Sequence, residues 1–279
     1  MTSTVADALT RGIERGDFLV VPYLLVDRRR SSTVATRLRT LRAAGAHAVE
    51  IGIPFSDPIA DGPVLAEAAA RSLDHGTDFG DVLTTVRTAS RELPTAVMSY
   101  VNPLLRGGAP DRLRELARAG ASALIVPDLA EDRAGDWSSR ARRLGLDLVR
   151  FVAPGADAAR VREIARSSRG FLYLVSRYGI TGAHGSAPSP DLRPLVRVAR
   201  RTAPRLPILA GFGIRDAATA RAAARLGTDG VVVGSALEEI WGAGDGADRA
   251  AALLRELRSG GPQIAFTRKP TRKPARIPQ

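Results

Sequence analysis

Short apolar segments alternate with amphipathic segments along most of the chain. Each apolar segment has the length of a buried strand and is bounded by glycine, proline or polar residues. A strand buried on both faces of a parallel sheet is apolar at nearly every position, and these segments show that pattern. The eight predicted strands are 18–25, 48–53, 96–100, 123–126, 146–152, 171–175, 207–210 and 230–233.

Apolar residues recur at helical spacing between these segments. One such helix is predicted over Val34, Leu38 and Leu41, with Ser31 and Ser32 as candidate N-caps and Gly45 at its end. The other predicted helices are 5–15, 64–76, 79–93, 111–119, 137–144, 158–167, 191–203, 216–226, 235–241 and 248–258.

Eight strand–helix units predict a parallel sheet with right-handed crossovers that closes into an α/β fold, a single (β/α)8 TIM barrel. The segment 5–15 precedes the first strand and is an extra N-terminal helix. A barrel of this kind takes about 250 residues, so 279 residues fit one barrel domain, 1–258, and a tail. The tail, 259–279, repeats Thr-Arg-Lys-Pro and is predicted to be disordered, with an anion-binding arm as the alternative.

The net charge of +12 raises the hypothesis of nucleic-acid binding. Nearly all the cations are arginine, and five of the charges lie in the last dozen residues, so solvated arginines are the preferred interpretation and no nucleic-acid partner is expected. A basic surface would also attract an anionic substrate. The absence of cysteine excludes disulfides, thiolate metal sites and a cysteine nucleophile. Without a long apolar run or a secretory leader, we expect a cytoplasmic protein with no membrane contact.

The stretch from Glu50 to Pro63 carries the strongest chemical signal. Glu50 interrupts an otherwise apolar strand, and a carboxylate there is costly unless it has a use. A stiff, proline-rich loop follows, and Asp61 lies at its far end. In barrels of this kind the catalytic groups lie at the carboxyl ends of the strands. Glu50 and Asp61 are therefore candidate catalytic residues, although Glu50 could instead be a core acid paired with arginine.

Glycine-rich turns follow the last three predicted strands: Gly179–Gly182, Gly211–Gly213 and Gly234–Ser235. Glycine lets backbone N–H groups approach a ligand closely, and Ser235 begins a predicted helix whose positive end attracts anions. Each turn alone could be a plain turn. Together they predict a phosphate site at the mouth of the barrel.

Several motifs between about Val5 and Leu257 resemble, in their order and spacing, those of the tryptophan synthase alpha subunit family. The most specific is Glu50-x-Gly-Ile-Pro-Phe-Ser-Asp-Pro-x-Ala-Asp-Gly-Pro63. Others are Tyr100-x-Asn-Pro, Val126-Pro-Asp-Leu, Tyr173-Leu-x-Ser-Arg-x-Gly-Ile-Thr-Gly182, Gly211-Phe-Gly-Ile and Gly234-Ser-Ala.

The resemblance implies retro-aldol cleavage of indole-3-glycerol phosphate to indole and glyceraldehyde 3-phosphate, without cofactor or metal. It also implies a pyridoxal-phosphate beta subunit as partner, in an alpha2beta2 assembly. On this basis Glu50, Asp61 and Tyr173 are the expected catalytic residues. The expected phosphate residues are Gly182, Gly213, Gly234 and Ser235, and the expected indole pocket is Tyr23, Met98, Tyr100 and Phe212.

The long segment 176–190 is expected to close over substrate with Thr181, and the loop of Asp57 is expected to face the partner. The chain departs from the family pattern at Leu25–Arg29, at Gly107–Gly108 and at Ala130. These departures leave two alternatives open: a free-standing lyase that releases indole, and a non-catalytic barrel that activates a beta subunit. The presence of both Glu50 and Asp61 argues against the second. A different phosphate-binding barrel enzyme is a more distant alternative, against which the loop from Pro54 to Pro63 argues.

Overall fold

The computed structural model of the protein describes residues 3–106, 109–175, 192–211, 213–242 and 246–261. Within these ranges eight parallel strands pair in chain order, and β8 returns to pair with β1, so the barrel is closed. The prediction of a TIM barrel is confirmed. The strands are β1 Leu19–Leu25, β2 Val49–Gly52, β3 Thr95–Met98, β4 Ala121–Ile125, β5 Asp147–Val152, β6 Leu172–Val175, β7 Ile208–Gly211 and β8 Gly230–Val233.

Helices surround the barrel and connect its strands. Their bounds are α1 Val5–Glu14, α2 Val34–Ala43, α3 Pro63–Asp74, α4 Phe79–Glu92, α5 Val101–Leu105, α6 Ala109–Arg118, α7 Glu131–Arg143, α8 Ala158–Ser167, α9 Leu192–Thr202, α10 Ala217–Leu226, α11 Ser235–Gly242 and α12 Ala247–Ser259. None of the described helices is long and apolar enough to cross a membrane.

Alternate residues of each strand point to opposite faces of the sheet, and this separates two cores. In β1, Leu19, Val21 and Tyr23 belong to the cluster that fills the barrel, whereas Val20 and Leu24 pack against the helices outside. Tyr23 is paired in register with Glu50 of β2, so the side chains of these neighbours share the interior of the barrel.

The predicted N-terminal helix, α1, is present and closes the bottom of the barrel. Thr4 caps it in a reciprocal capping box with Asp7. Val5 and Leu9 are fully buried and join the interior cluster together with Leu19. The apolar face of α1 therefore covers the end of the barrel opposite to the predicted site.

Three local predictions were wrong. Ser31 and Ser32 do not cap α2, because a 3-10 helix, Arg28–Thr33, occupies that segment. Asp27 starts this turn by accepting a hydrogen bond from the Arg29 N–H, and α2 continues directly from it. No helix was predicted between β3 and the helix at 111–119, but the short helix α5 lies there. The helix predicted at 137–144, α7, begins earlier, at Glu131.

The proposed boundary between barrel and tail at 258/259 stays a prediction. The last helix, α12, extends to Ser259, and Gly260 is its C-cap. Residues 262–279 lie outside the described part of the chain.

Candidate functional site

Glu50 lies on β2 with its side chain inside the barrel and is 1% exposed. Neither of its carboxylate oxygens has a hydrogen-bond partner among the described residues. Among the described residues, no arginine pairs with Glu50, and this argues against the alternative of a structural core acid. Burial, with a smaller contribution from the charge of Asp61, raises the pKa of Glu50 to about 8.

Asp61 lies in the loop between β2 and α3 and faces the same cavity. Burial raises its pKa to about 6, and a hydrogen bond from Tyr100 opposes this rise. The hydroxyl of Tyr100 donates to Asp61 Oδ2 at 3.1 Å and accepts from the Ala60 N–H at 3.0 Å. The Tyr100 ring also contacts Phe55, with 5.3 Å between ring centroids. Tyr100 thus fixes both the backbone and the side chain at the end of the loop.

A cavity of about 290 Å³ opens beside the two carboxylates. Glu50, Asp61, Tyr23, Met98 and Tyr173 all line it, so the structure brings these predicted residues together. Tyr100 is not among its lining residues and contacts the site through Asp61 instead. The volume is near the lower end of the range for small-molecule sites, about 300–1,000 Å³.

Two glycines allow the cavity tyrosines to lie against the sheet. A Cβ atom at Gly52 would overlap the Tyr23 hydroxyl, and a Cβ atom at Gly211 would overlap the Tyr173 ring. Tyr173 also packs on Phe151, with 4.9 Å between ring centroids. The glycines at these strand ends therefore have a packing reason in addition to any contact with ligand.

Gly213, Gly234 and Ser235 line the same cavity. Gly213 adopts a φ of +78°, a conformation that favours glycine. Ser235 is the first residue of α11, and the first hydrogen bonds of this helix run from the N–H groups of Leu237 and Glu238 to Gly234 O. The N–H groups of Ser235 and Ala236 precede these bonds, so they are placed to bind an anion.

The remaining predicted residues are not in this cavity or are not described. Asp57 lies in an exposed part of the β2–α3 loop beside Ile59, whose side chain is 80% exposed. Thr181, Gly182 and Phe212 lie outside the described residues.

Several residues at the cavity were not predicted from the sequence. Leu65 of α3 and Arg215 both line it, and Phe151 supports it through Tyr173. Phe151 lies two residues after Val149, which points into the barrel, so the alternation within β5 could have found it. Leu65 and Arg215 follow chemically distinctive loops, and no signal of their own marks them in the sequence.

Two carboxyl groups with pKa values of about 8 and about 6 share one cavity. Near neutral pH the first is mainly protonated and the second mainly ionised. One group can therefore give a proton while the other stabilises positive charge, and this pairing suits acid–base chemistry on a substrate that becomes cationic. Because the same cavity is also lined by the glycine-rich turns and the start of α11, it suits a substrate that carries both a ring and an anionic group.

The family model described as tryptophan synthase alpha chain matches residues 10–259. The chain belongs to the tryptophan synthase alpha chain family. The alpha chain of Synechococcus sp. (strain CC9902) is 41% identical over 85% of this chain and 88% of its own length. That of Synechococcus elongatus is 36% identical over 92% and 96%.

Solved structures agree with this family assignment. A chain of Mycobacterium tuberculosis tryptophan synthase superimposes with a TM-score of 0.82 at 32% identity, covering 93% of this chain and 98% of that one. A mutant tryptophan synthase alpha subunit from Pyrococcus furiosus gives 0.76 at 31% identity, covering 86% and 98%. As an alpha chain, this protein is a carbon–carbon lyase of tryptophan biosynthesis that cleaves indole-3-glycerol phosphate to indole and glyceraldehyde 3-phosphate.

Proposed function

We propose that Glu50 and Asp61 carry out this cleavage in the cavity of the barrel mouth. The observation that carries the proposal is the pairing of a buried carboxyl without a described hydrogen-bond partner and a second carboxyl held by Tyr100, both lining one cavity. Their different environments separate their pKa values, and such separation is typical of residues with different acid–base roles.

Glu50 acts first as a general acid. Its proton goes to C3 of the indole ring, which becomes tetrahedral, and positive charge develops on the ring nitrogen. The Glu50 carboxylate then takes the proton of the side-chain hydroxyl next to C3. As that O–H bond breaks, the aldehyde forms, the C–C bond breaks, and its electron pair restores the aromatic ring. Glu50 ends protonated, so one residue serves both steps.

Asp61 acts on the ring nitrogen. As the ring becomes cationic its N–H becomes more acidic, and an ionised carboxylate that accepts this hydrogen bond stabilises the charge. Tyr100 holds the carboxylate in place and helps to keep it ionised, because a hydrogen bond to the charged form lowers its pKa. Tyr100 is therefore a positioning residue in this proposal.

The other predicted site residues orient the substrate. Tyr173 directs Glu50 or the substrate through its hydroxyl, and Tyr23 and Met98 contact the indole ring together with Phe212. Gly213, Gly234 and Ser235 bind the phosphate through backbone N–H groups, joined by Gly182. The positions of Tyr173, Tyr23, Met98, Gly213, Gly234 and Ser235 along one cavity support this arrangement.

We further propose a cytoplasmic alpha2beta2 assembly in which the loop of Asp57 faces a beta subunit. The exposed apolar side chain of Ile59 beside it, 80% exposed, supports a contact surface there. The segment Leu25–Arg29 favours a second candidate, a free-standing lyase, because it departs from the family pattern directly after β1, at the carboxyl ends of the strands.

Indole release by the purified chain, measured with and without a tryptophan synthase beta subunit, tests the proposal and separates the two candidates. Slow release that the beta subunit accelerates supports the assembly. Release at an ordinary enzymatic rate, unchanged by the beta subunit, would establish the free-standing lyase. No release under either condition would contradict the assigned roles of Glu50 and Asp61.

A further inference from the structure

A cluster of ion pairs packs against helix α11, whose first residue, Ser235, belongs to the proposed phosphate site, and the proposed cleavage uses none of the members of this cluster. It joins three elements: the segment after β1, helix α3 and helix α11. Its residues are Asp27, Arg30, Arg71 and Glu238. Arg37 lies nearby, with its guanidinium over the Trp241 ring at 4.8 Å.

Glu238 is the unusual member of this cluster. It lies one turn after Ser235 on α11, and its side chain is only 6% exposed. The first turn of α11 is also where the proposed phosphate site begins. A buried negative charge at this point would repel a phosphate and would offset the attraction of the helix N-terminus.

Arg30 compensates this charge directly. Its Nη1 atom lies 2.8 Å from both carboxylate oxygens of Glu238. Asp27 helps to hold the guanidinium, with 3.6 Å between Arg30 Nε and Asp27 Oδ2. Arg71 is a weaker partner, because its Nη2 atom is 3.7 Å from Glu238 and its side chain is 51% exposed. Arg30 directly follows Leu25–Arg29, where the chain departs from the pattern of its family.

We propose that Arg30 sets the phosphate affinity of the cavity by neutralising Glu238, and that it acts through Glu238 without touching the substrate. This inference rests on the proposed phosphate site at Gly213, Gly234 and Ser235. The alternative is a purely mechanical pair that holds α11 against the 3-10 helix. The two explanations predict different changes in phosphate affinity. Charge compensation predicts that loss of Arg30 weakens phosphate binding and loss of Glu238 strengthens it, whereas a mechanical pair predicts the same change for both.

The test measures the dissociation constant of inorganic phosphate by calorimetry, together with KM and kcat for indole-3-glycerol phosphate. Arg30→Ala should weaken phosphate binding and raise KM by about tenfold, the order expected for an uncompensated charge one helical turn from Ser235 at an effective dielectric constant of about 20. Its kcat should stay within about twofold, since the affected interaction is the same in ground and transition states. Arg29→Ala is the matched control, because it removes an exposed positive charge one position earlier.

Glu238→Gln should bind phosphate more tightly than the wild type, because the positive charge of Arg30 is then uncompensated. The double variant Arg30→Ala/Glu238→Gln should return to within about threefold of the wild-type constant, which shows coupling between the two sites. If Arg30→Ala does not fold, Glu238→Gln alone still decides, since unchanged or weaker phosphate binding in that variant would overturn the proposal.

Three other outcomes would overturn the proposal. Weaker phosphate binding in both single variants would mean a mechanical pair and overturn charge compensation. Wild-type affinity in Arg30→Ala, with phosphate still bound, would overturn this inference alone. No phosphate binding by the wild type, even at millimolar concentrations, would overturn the proposed phosphate site and this inference with it.

Discussion

The Tyr100 hydroxyl donates a hydrogen bond to Asp61 across 3.1 Å, and it accepts another from the backbone of Ala60. This pair ties the start of α5 to the end of the β2–α3 loop, so an otherwise exposed loop presents a carboxylate in a defined position. Glu50, by contrast, is held by the strand itself and has no described hydrogen-bond partner. The two carboxyl groups therefore differ both in pKa and in the contacts that hold them in place.

Removing either carboxylate should abolish most of the cleavage. We expect Glu50→Gln and Asp61→Asn each to lower kcat by about 100-fold or more, the typical contribution of acid–base catalysis. Indole release at saturating substrate measures the effect. Glu67→Gln on α3 is the matched control, because its side chain is 74% exposed. Near-normal turnover in either site variant would remove that residue from its proposed role.

The pH dependence of kcat/KM should be bell-shaped. Asp61 must be ionised and Glu50 protonated, so activity should rise near pH 6 and fall near pH 8. Because the two groups interact, both limbs report apparent constants of the pair. A profile in the free chain that keeps rising beyond pH 9.5 would contradict Glu50 as the initial acid.

Tyr100→Phe should move the acidic limb of this profile to higher pH. The hydrogen bond from Tyr100 lowers the pKa of Asp61, so its loss raises that pKa and leaves less carboxylate at neutral pH. We expect kcat/KM at pH 6.5 to fall by about tenfold, since hydrogen bonds to charged groups are worth about 1.5–3 kcal/mol. Part of the loss should be recovered near pH 8. An equal loss at every pH would instead indicate that Tyr100 only holds the loop.

Gly234→Asp should weaken substrate binding with little change in the folded state. A Cβ atom at Gly234 would lie 3.3 Å from Leu65 Cδ1 and 3.4 Å from Tyr23 Cδ1, so small shifts accommodate it. The added carboxylate would repel the phosphate at the start of α11. Gly234→Ala is the matched control, because it adds the Cβ atom without the charge. KM and the thermal midpoint measure the two effects, and an unaltered KM in Gly234→Asp would contradict the phosphate assignment.

The strands and the catalytic candidates could be predicted because their signals are local. Apolar runs gave the eight strands, and Glu50 was visible as a charge within one of them. The 3-10 helix at Arg28–Thr33 was missed because Asp27 competes with the serines as a cap, and their relative strength depends on the surrounding fold. The Tyr100–Asp61 bond and the Arg30–Glu238 pair join residues 39 and 208 positions apart, and periodicity carries no information about such contacts.

Replacing the catalytic acid should stabilise the protein. The folded-state pKa of Glu50, about 8, is above the value of about 4.3 for an unfolded chain. A raised pKa means that the folded state holds the proton more tightly than the unfolded state. The associated stability is complete below about pH 4.3 and is lost as the pH rises through about 8. The wild type should therefore become less stable across that window.

Glu50→Gln removes this dependence, because the amide stays neutral at every pH. Its thermal midpoint should exceed that of the wild type, with a larger difference at pH 8.5 than at pH 5, corresponding to about 2–4 kcal/mol of unfolding free energy. Thermal unfolding followed by circular dichroism at the two pH values measures it, and the exposed Glu67→Gln should show no such difference. Equal midpoints of Glu50→Gln and wild type at pH 8.5 would mean that the Glu50 charge is stabilised in the fold, and the carboxyl would then lack the raised pKa that its role as an acid requires.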